Sequence, residues 1–97
     1  MKITQEAVTK NLNAMGFRIT HLTIASDGTD IVGTRLYDKV SLCVRVSLNT
    51  NLFAIGINDF FVSSKKDYVF LRSDGEVSDD FLRMFKIYER KIRLMSH

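Results

Sequence analysis

Serine-histidine-carboxylate catalysis needs a base held beside its nucleophile, and the chain offers two histidines, His21 and His97, with one cysteine, Cys43. His21 stands among β-branched residues with no nucleophile motif around it and reads as a structural residue. Cys43 falls on the polar side of an alternating pattern, where a thiol is a small packed side chain; no neighbouring base would make it a thiolate. One cysteine and two histidines cannot supply the four ligands of a structural zinc site, nor can one cysteine build a disulfide framework. The strings Ser26-Asp27-Gly28 and Ser73-Asp74-Gly75 resemble pieces of calcium loops. Both lack the alternating oxygen ligands and closing glutamate of such a loop, and both read as turns. No glycine-rich phosphate cradle appears. No catalytic residue, cofactor or metal is therefore expected, and the chemistry open to the chain is that of binding.

The elements that would present such a surface follow from hydropathy and capping. Ninety-seven residues, 45% of them apolar and 26% charged, make one domain spanning 1–97, with neither a disordered nor a collagen-like composition. Thr4 is a helix N-cap with Ile3 and Val8 at staple spacing, and Gly16 followed by Phe17 allows a Schellman stop, so residues 5–15 are predicted helical with Val8, Leu12 and Met15 buried. Strands are predicted over 18–25, 30–37 and 40–48. In the last, Val40, Leu42, Val44, Val46 and Leu48 share one face, and Ser41, Cys43, Arg45 and Ser47 share the other. The stretch 52–62 fits both periods; it is read as a short helix capped by Asn51. A further strand is predicted over 67–72, and Ser78 opens a final helix with Asp79 and Asp80 in its first turn. The expected fold class is α+β: a central sheet of about four strands flanked by N- and C-terminal helices, in the order α-β-β-β-(α)-β-α.

The final helix carries the strongest surface signal. At 100° per residue, Phe81, Met84, Phe85, Tyr88, Ile92 and Met95 gather on a core face, while Arg83, Lys86, Arg90 and Arg93 gather within about 80° on the opposite side. The basic stripe runs about 15 Å, long enough to meet several phosphates, and Lys65, Lys66 and Arg72 would extend it. With 14 basic against 11 acidic residues the formal charge is +3, which permits an acidic partner without requiring one. The leading expectation is a small non-catalytic nucleic-acid-binding protein contacting phosphates through this helix. Sequence-specific readout is not expected, because no aromatic residue is interleaved among the basic ones. Ile87 and Leu94 lie at the edge of the stripe and outside the core face. They point to the alternative, an inhibitor or adaptor docking on a larger protein, or to a homodimer contact. The apolar face is needed to cover the sheet, so no membrane attachment is expected, and the Met1 to Glu6 start, without an apolar run, predicts a cytoplasmic protein.

A tight reversal at Asp38-Lys39 pairs residues whose numbers sum to about 77, which sets Asp30 opposite Ser47 with Arg45 diagonally nearby as a candidate ion pair. The strings Gly28-Thr29-Asp30-Ile31-Val32-Gly33, Ser41-Leu42-Cys43-Val44-Arg45-Val46-Ser47 and Lys66-Asp67-Tyr68-Val69-Phe70-Leu71, in this element order over residues 5–72, resemble the PD-(D/E)XK nuclease-like fold. In that family an aspartate, an acidic-x-Lys on the next strand and sometimes a helical glutamate hold magnesium and orient water. The resemblance assigns Asp30 to the first position and Glu6 to the helical one. Arg45 and Ser47 stand where the second carboxylate and the lysine belong. A guanidinium in place of a carboxylate repels magnesium, so the resemblance implies a degenerate site on a scaffold kept for binding. A metal-dependent nuclease using Glu6 and Asp30 is the third expectation.

Overall fold

The computed structural model describes residues 3–26, 28–58, 60–63 and 68–95. The elements are α1 (Gln5–Ala14), β1 (Arg18–Ala25), β2 (Gly28–Leu36), β3 (Ser41–Ser47), β4 (Phe53–Ile57), β5 (Phe60–Ser63) and α2 (Asp79–Met95). All five strands form one antiparallel sheet in the order β1-β2-β3-β4-β5. The fold is α+β, with five strands where the sequence suggested about four.

Local chemistry explains the helix ends. The Thr4 hydroxyl accepts from the Ala7 amide at 3.2 Å. At the other end, Gly16 takes φ +89°, its amide donates to the Asn13 carbonyl and the Phe17 amide donates to the Leu12 carbonyl at 2.9 Å. That is the Schellman pair of bonds, and it turns Phe17 back into the core beside Leu12. Ser78 caps α2 by accepting from the Phe81 amide at 3.0 Å while its hydroxyl donates to the Val69 carbonyl.

The stretch 52–62 is the main departure. It forms the hairpin of β4 and β5, and none of its described residues is helical. In β4 the side chains of Phe53 and Ile55 drop into the core on a period of two, and Phe53 meets Phe81 with ring centroids 5.1 Å apart. Asn51 caps no helix. It sits at φ +59° in the β3–β4 turn with its side chain fully buried. The strand predicted over 67–72 is also corrected: the described part of it makes only the isolated bridges Leu52↔Val69 and Leu71↔Val77. What holds it is the Asn51 amide, whose Nδ2 donates to the Leu71 carbonyl at 2.8 Å and whose Oδ1 accepts from the Leu71 amide at 3.0 Å. A primary amide can in this way satisfy both main-chain polar groups of one residue, and with the Phe70 amide donating to the Asn51 carbonyl and the Ser78 amide to the Phe70 carbonyl the segment is held without a regular ladder.

The core lies on one face of the sheet. Ile31, Leu42, Val44, Val46, Phe53 and Ile55 pack there against Val8 and Leu12 of α1 and Phe81, Tyr88 and Ile92 of α2. Met95, expected on the core face of α2, is 56% exposed in the helix's last turn. The opposite sheet face carries Thr23, Asp30, Thr34, Arg45 and Phe61, and neither helix covers it. Cys43 and Val32 are nonetheless buried on that side, under their longer neighbours.

Candidate interaction surface

The outer face of α2 brings the predicted residues together. Arg83, Lys86, Ile87, Arg90, Arg93 and Leu94 are all exposed, with Ile87 at 43% and Leu94 at 69%. On the helical projection the two apolar residues stand at the edge of the basic stripe, just beyond Arg83 and Arg90, on the side that turns toward the core face. Large apolar side chains so placed border the row of cations.

Several cations are already engaged within the chain. Arg83 reaches Asp80 at 2.8 Å, and Arg93 lies 3.7 Å from Glu89. Arg72 makes a two-pronged contact with Asp74, at 2.8 and 3.2 Å, closing the Ser73-Asp74-Gly75 turn. The hydrogen bonds and charge of Arg72 hold the Asp74 carboxyl below its usual range. Lys86 and Arg90 are the residues of the predicted stripe that make no ion pair among the described residues. Lys65 and Lys66, expected to extend the stripe, lie outside the described residues.

The inner side of this surface is anchored by a polar cluster that sequence reasoning did not find. Arg35 of β2 donates to the Met15 carbonyl at the end of α1 at 3.1 Å, lies 3.6 Å from Glu89 of α2, and spreads over the rings of Tyr37 and Phe85. The Tyr37 hydroxyl donates to Glu89 at 3.2 Å. One guanidinium thus ties both helices to the sheet, and the carboxylate it shares sits one residue from Arg90.

This cluster predicts an alkaline response. Burial, chiefly, raises the Tyr37 phenol above its ordinary value; the Glu89 charge and hydrogen bond raise it further, against the lowering effect of Arg35 and Arg93. A folded-state value above the unfolded one means that the stabilising contribution is fully present below pH of about 10 and is lost as pH rises through the folded value. Denaturant midpoints measured from pH 8 to 11 should therefore fall more steeply for the wild type than for Tyr37→Phe, and equal slopes would count against the assignment.

The uncovered sheet face bears the other expected constellation. Asp30 does pair with Ser47, as the reversal at Asp38-Lys39 predicted. Asp30 and Arg45 line one shallow depression of about 240 Å³ with Ser47 and Thr50. They form no ion pair among the described residues; the Arg45 guanidinium instead lies over the Phe61 ring, 4.8 Å from its centroid. His21 is exposed beside Thr20, its Nδ1 3.3 Å from the hydroxyl, and Glu6 is exposed in the first turn of α1. No group of three or more His, Cys, Asp or Glu side chains among the described residues could hold a metal ion. No helix of the described residues is long and apolar enough to cross a membrane.

Comparison with protein-family models, curated proteins and solved structures found no match to this chain. The nuclease-like resemblance therefore gains nothing from relatives.

Proposed function

We propose that this protein acts by binding, docking the outer face of α2 on an acidic protein surface that offers an apolar depression for Leu94 and Ile87. The observation that carries this reading is the placement of those two exposed side chains directly beside a basic stripe of which Arg83 and Arg93 are already ion-paired within the chain. A nucleic-acid phosphate track would use a continuous row of free cations and gain nothing from a leucine and an isoleucine along its border. A protein interface has an apolar centre ringed by polar groups, with arginine at its anchors. Lys86 and Arg90 lie along one side of the apolar pair and supply the attraction that steers an acidic partner.

The test compares the wild type with Leu94→Asp and Arg90→Glu. Partners are captured from nuclease-treated lysate, identified, purified and titrated against each variant. Each substitution should weaken the purified complex by about tenfold or more, the size expected of an interface anchor. The competing outcome is binding to labelled duplex or single strands. If such binding falls steeply with salt, needs Lys86 and Arg90, and is indifferent to Leu94, the face reads phosphates and the docking proposal fails.

A further inference from the structure

We infer that β1 is a self-pairing edge, through which two copies of the chain join their sheets into one continuous antiparallel sheet of ten strands. β1 closes one side of the sheet and among the described residues pairs only with β2, so no described strand stands opposite its outward backbone groups. It runs for 8 residues, and every side chain from Arg18 to Ile24 is exposed. Ile19, Leu22 and Ile24, at 36, 44 and 77% exposure, pair with Gly33, Ile31 and Thr29 and so stand in one row on the helix-bearing side of the sheet. A row of three branched apolar residues on a core-side face, increasingly exposed from Ile19 to Ile24, is core that the described residues of a single copy do not complete.

Edge strands in monomers are usually short, or are guarded by lysine, proline or inward charge. β1 has none of these guards: its sequence is Arg-Ile-Thr-His-Leu-Thr-Ile-Ala, with its one formal charge at the first residue. The bulge between Ile19 and His21 bends only the beginning, and from His21 to Ala25 the register with β2 is unbroken.

The occupant follows from charge. Two copies related by a twofold axis set like sequences against each other, and a charged edge would repel itself. The stretch from Ile19 to Ala25 carries no formal charge at neutral pH and so meets its own copy without repulsion. With the axis at Thr23, antiparallel pairing places Leu22 of one copy across from Ile24 of the other, and the same pair recurs on the far side of the axis. Cross-strand apolar pairs of this kind are the stabilising unit of a sheet. The paired span, His21 to Ala25 of each copy, is about 17 Å long and with its apolar pairs lies at the small end of specific interfaces, so monomer and dimer should exchange in the micromolar range.

The proposal does not rest on the docking reading of α2. It is tested by sedimentation equilibrium and light scattering from about 1 to 300 µM, a span that brackets a micromolar dissociation constant. The wild type should pass from the 11.1 kDa chain mass to twice that value. The Leu22→Lys/Ile24→Lys variant should stay at monomer mass with an unchanged circular dichroism spectrum, while Ile87→Lys/Leu94→Lys should still dimerise. Hydrogen exchange on the wild type supplies a readout that needs no variant: β1 amides should become more protected as concentration rises. A wild type monomeric throughout, a dimer that survives the β1 substitutions, or one lost only when Ile87 and Leu94 change would each overturn the proposal.

Discussion

Gly56→Ala should remove most of the stability of the β4–β5 hairpin. A Cβ built on Gly56 would fall far inside van der Waals contact distance of the Phe60 carbonyl oxygen and 2.8 Å from the Phe61 Cα. Both obstacles are backbone. A flexible side chain could swing aside, but a carbonyl held in an antiparallel pair moves only if its strand moves, and Gly56 pairs with Phe61 on one side and Cys43 on the other. The strands must separate or the residue must leave the sheet. The expected loss is at least about 3 kcal/mol, above the usual range for one added methyl because relief breaks ladder hydrogen bonds as well. For a domain of this size that lowers the thermal midpoint by roughly 12 °C or more. A shift of only a few degrees in a calorimetric scan would mean that the hairpin is looser than described.

The second large effect belongs to Asn51. Its side chain bonds both the amide and the carbonyl of Leu71 in a fully buried site, and its backbone occupies the left-handed region at φ +59°. Asn51→Ala leaves a buried amide and a buried carbonyl without partners and also places a Cβ-bearing residue with no compensating side chain at positive φ. The combined cost is about 3–4 kcal/mol. Asn51→Gly relieves the backbone but not the lost bonds, so it should fall between wild type and alanine. Asn51→Asp keeps the acceptor for the Leu71 amide and sets a carboxylate oxygen against the Leu71 carbonyl. Urea unfolding of the three variants, with hydrogen exchange at Phe70 and Leu71, separates these contributions; an alanine variant as stable as glycine would remove the backbone argument.

The two positions also show why the sequence was legible in some places and not in others. Ends of helices are written in single residues whose chemistry is local, and Thr4, Gly16 with Phe17, and Ser78 each do what their type and position suggest. The alternation from Val40 to Leu48 and the reversal at Asp38-Lys39 likewise fixed the Asp30↔Ser47 pairing. Between Leu52 and Val62 the same reasoning fails, because Phe53, Ile57 and Phe60 satisfy a helical period as readily as Phe53, Ile55 and Ile57 satisfy a strand. The deciding facts there are tertiary. Gly56 is required by the approach of another strand, and the Asn51 side chain is held by the main chain of a residue 20 positions away. The Arg35, Tyr37 and Glu89 cluster was hidden for the same reason, its hydrogen-bonded partners standing 52 residues apart.

On the candidate surface, composition placed the cations on one side of α2 correctly, since that follows from helical angle alone. The acidic residues within the same helix, Asp79, Asp80 and Glu89, also signal partial neutralisation of that side, and Asp80 and Glu89 do pair with Arg83 and Arg93. The exposure of Ile19, Leu22 and Ile24 was out of reach, because an alternating pattern marks a strand without saying whether anything lies beside it.

Because β1 to β5 follow one another across the sheet in chain order, every ladder is closed by a reversal between neighbours and none waits for a distant segment. Short reversals cost little loop-closure entropy, so such a sheet can zip from any hairpin outward, faster than a barrel or sandwich with comparable strands. Only α2 and the segment pinned by Asn51 must return from the far end of the chain, and they arrive at a platform already assembled. The growing polypeptide can thus order its first three strands while the helix that seals them is still being synthesised.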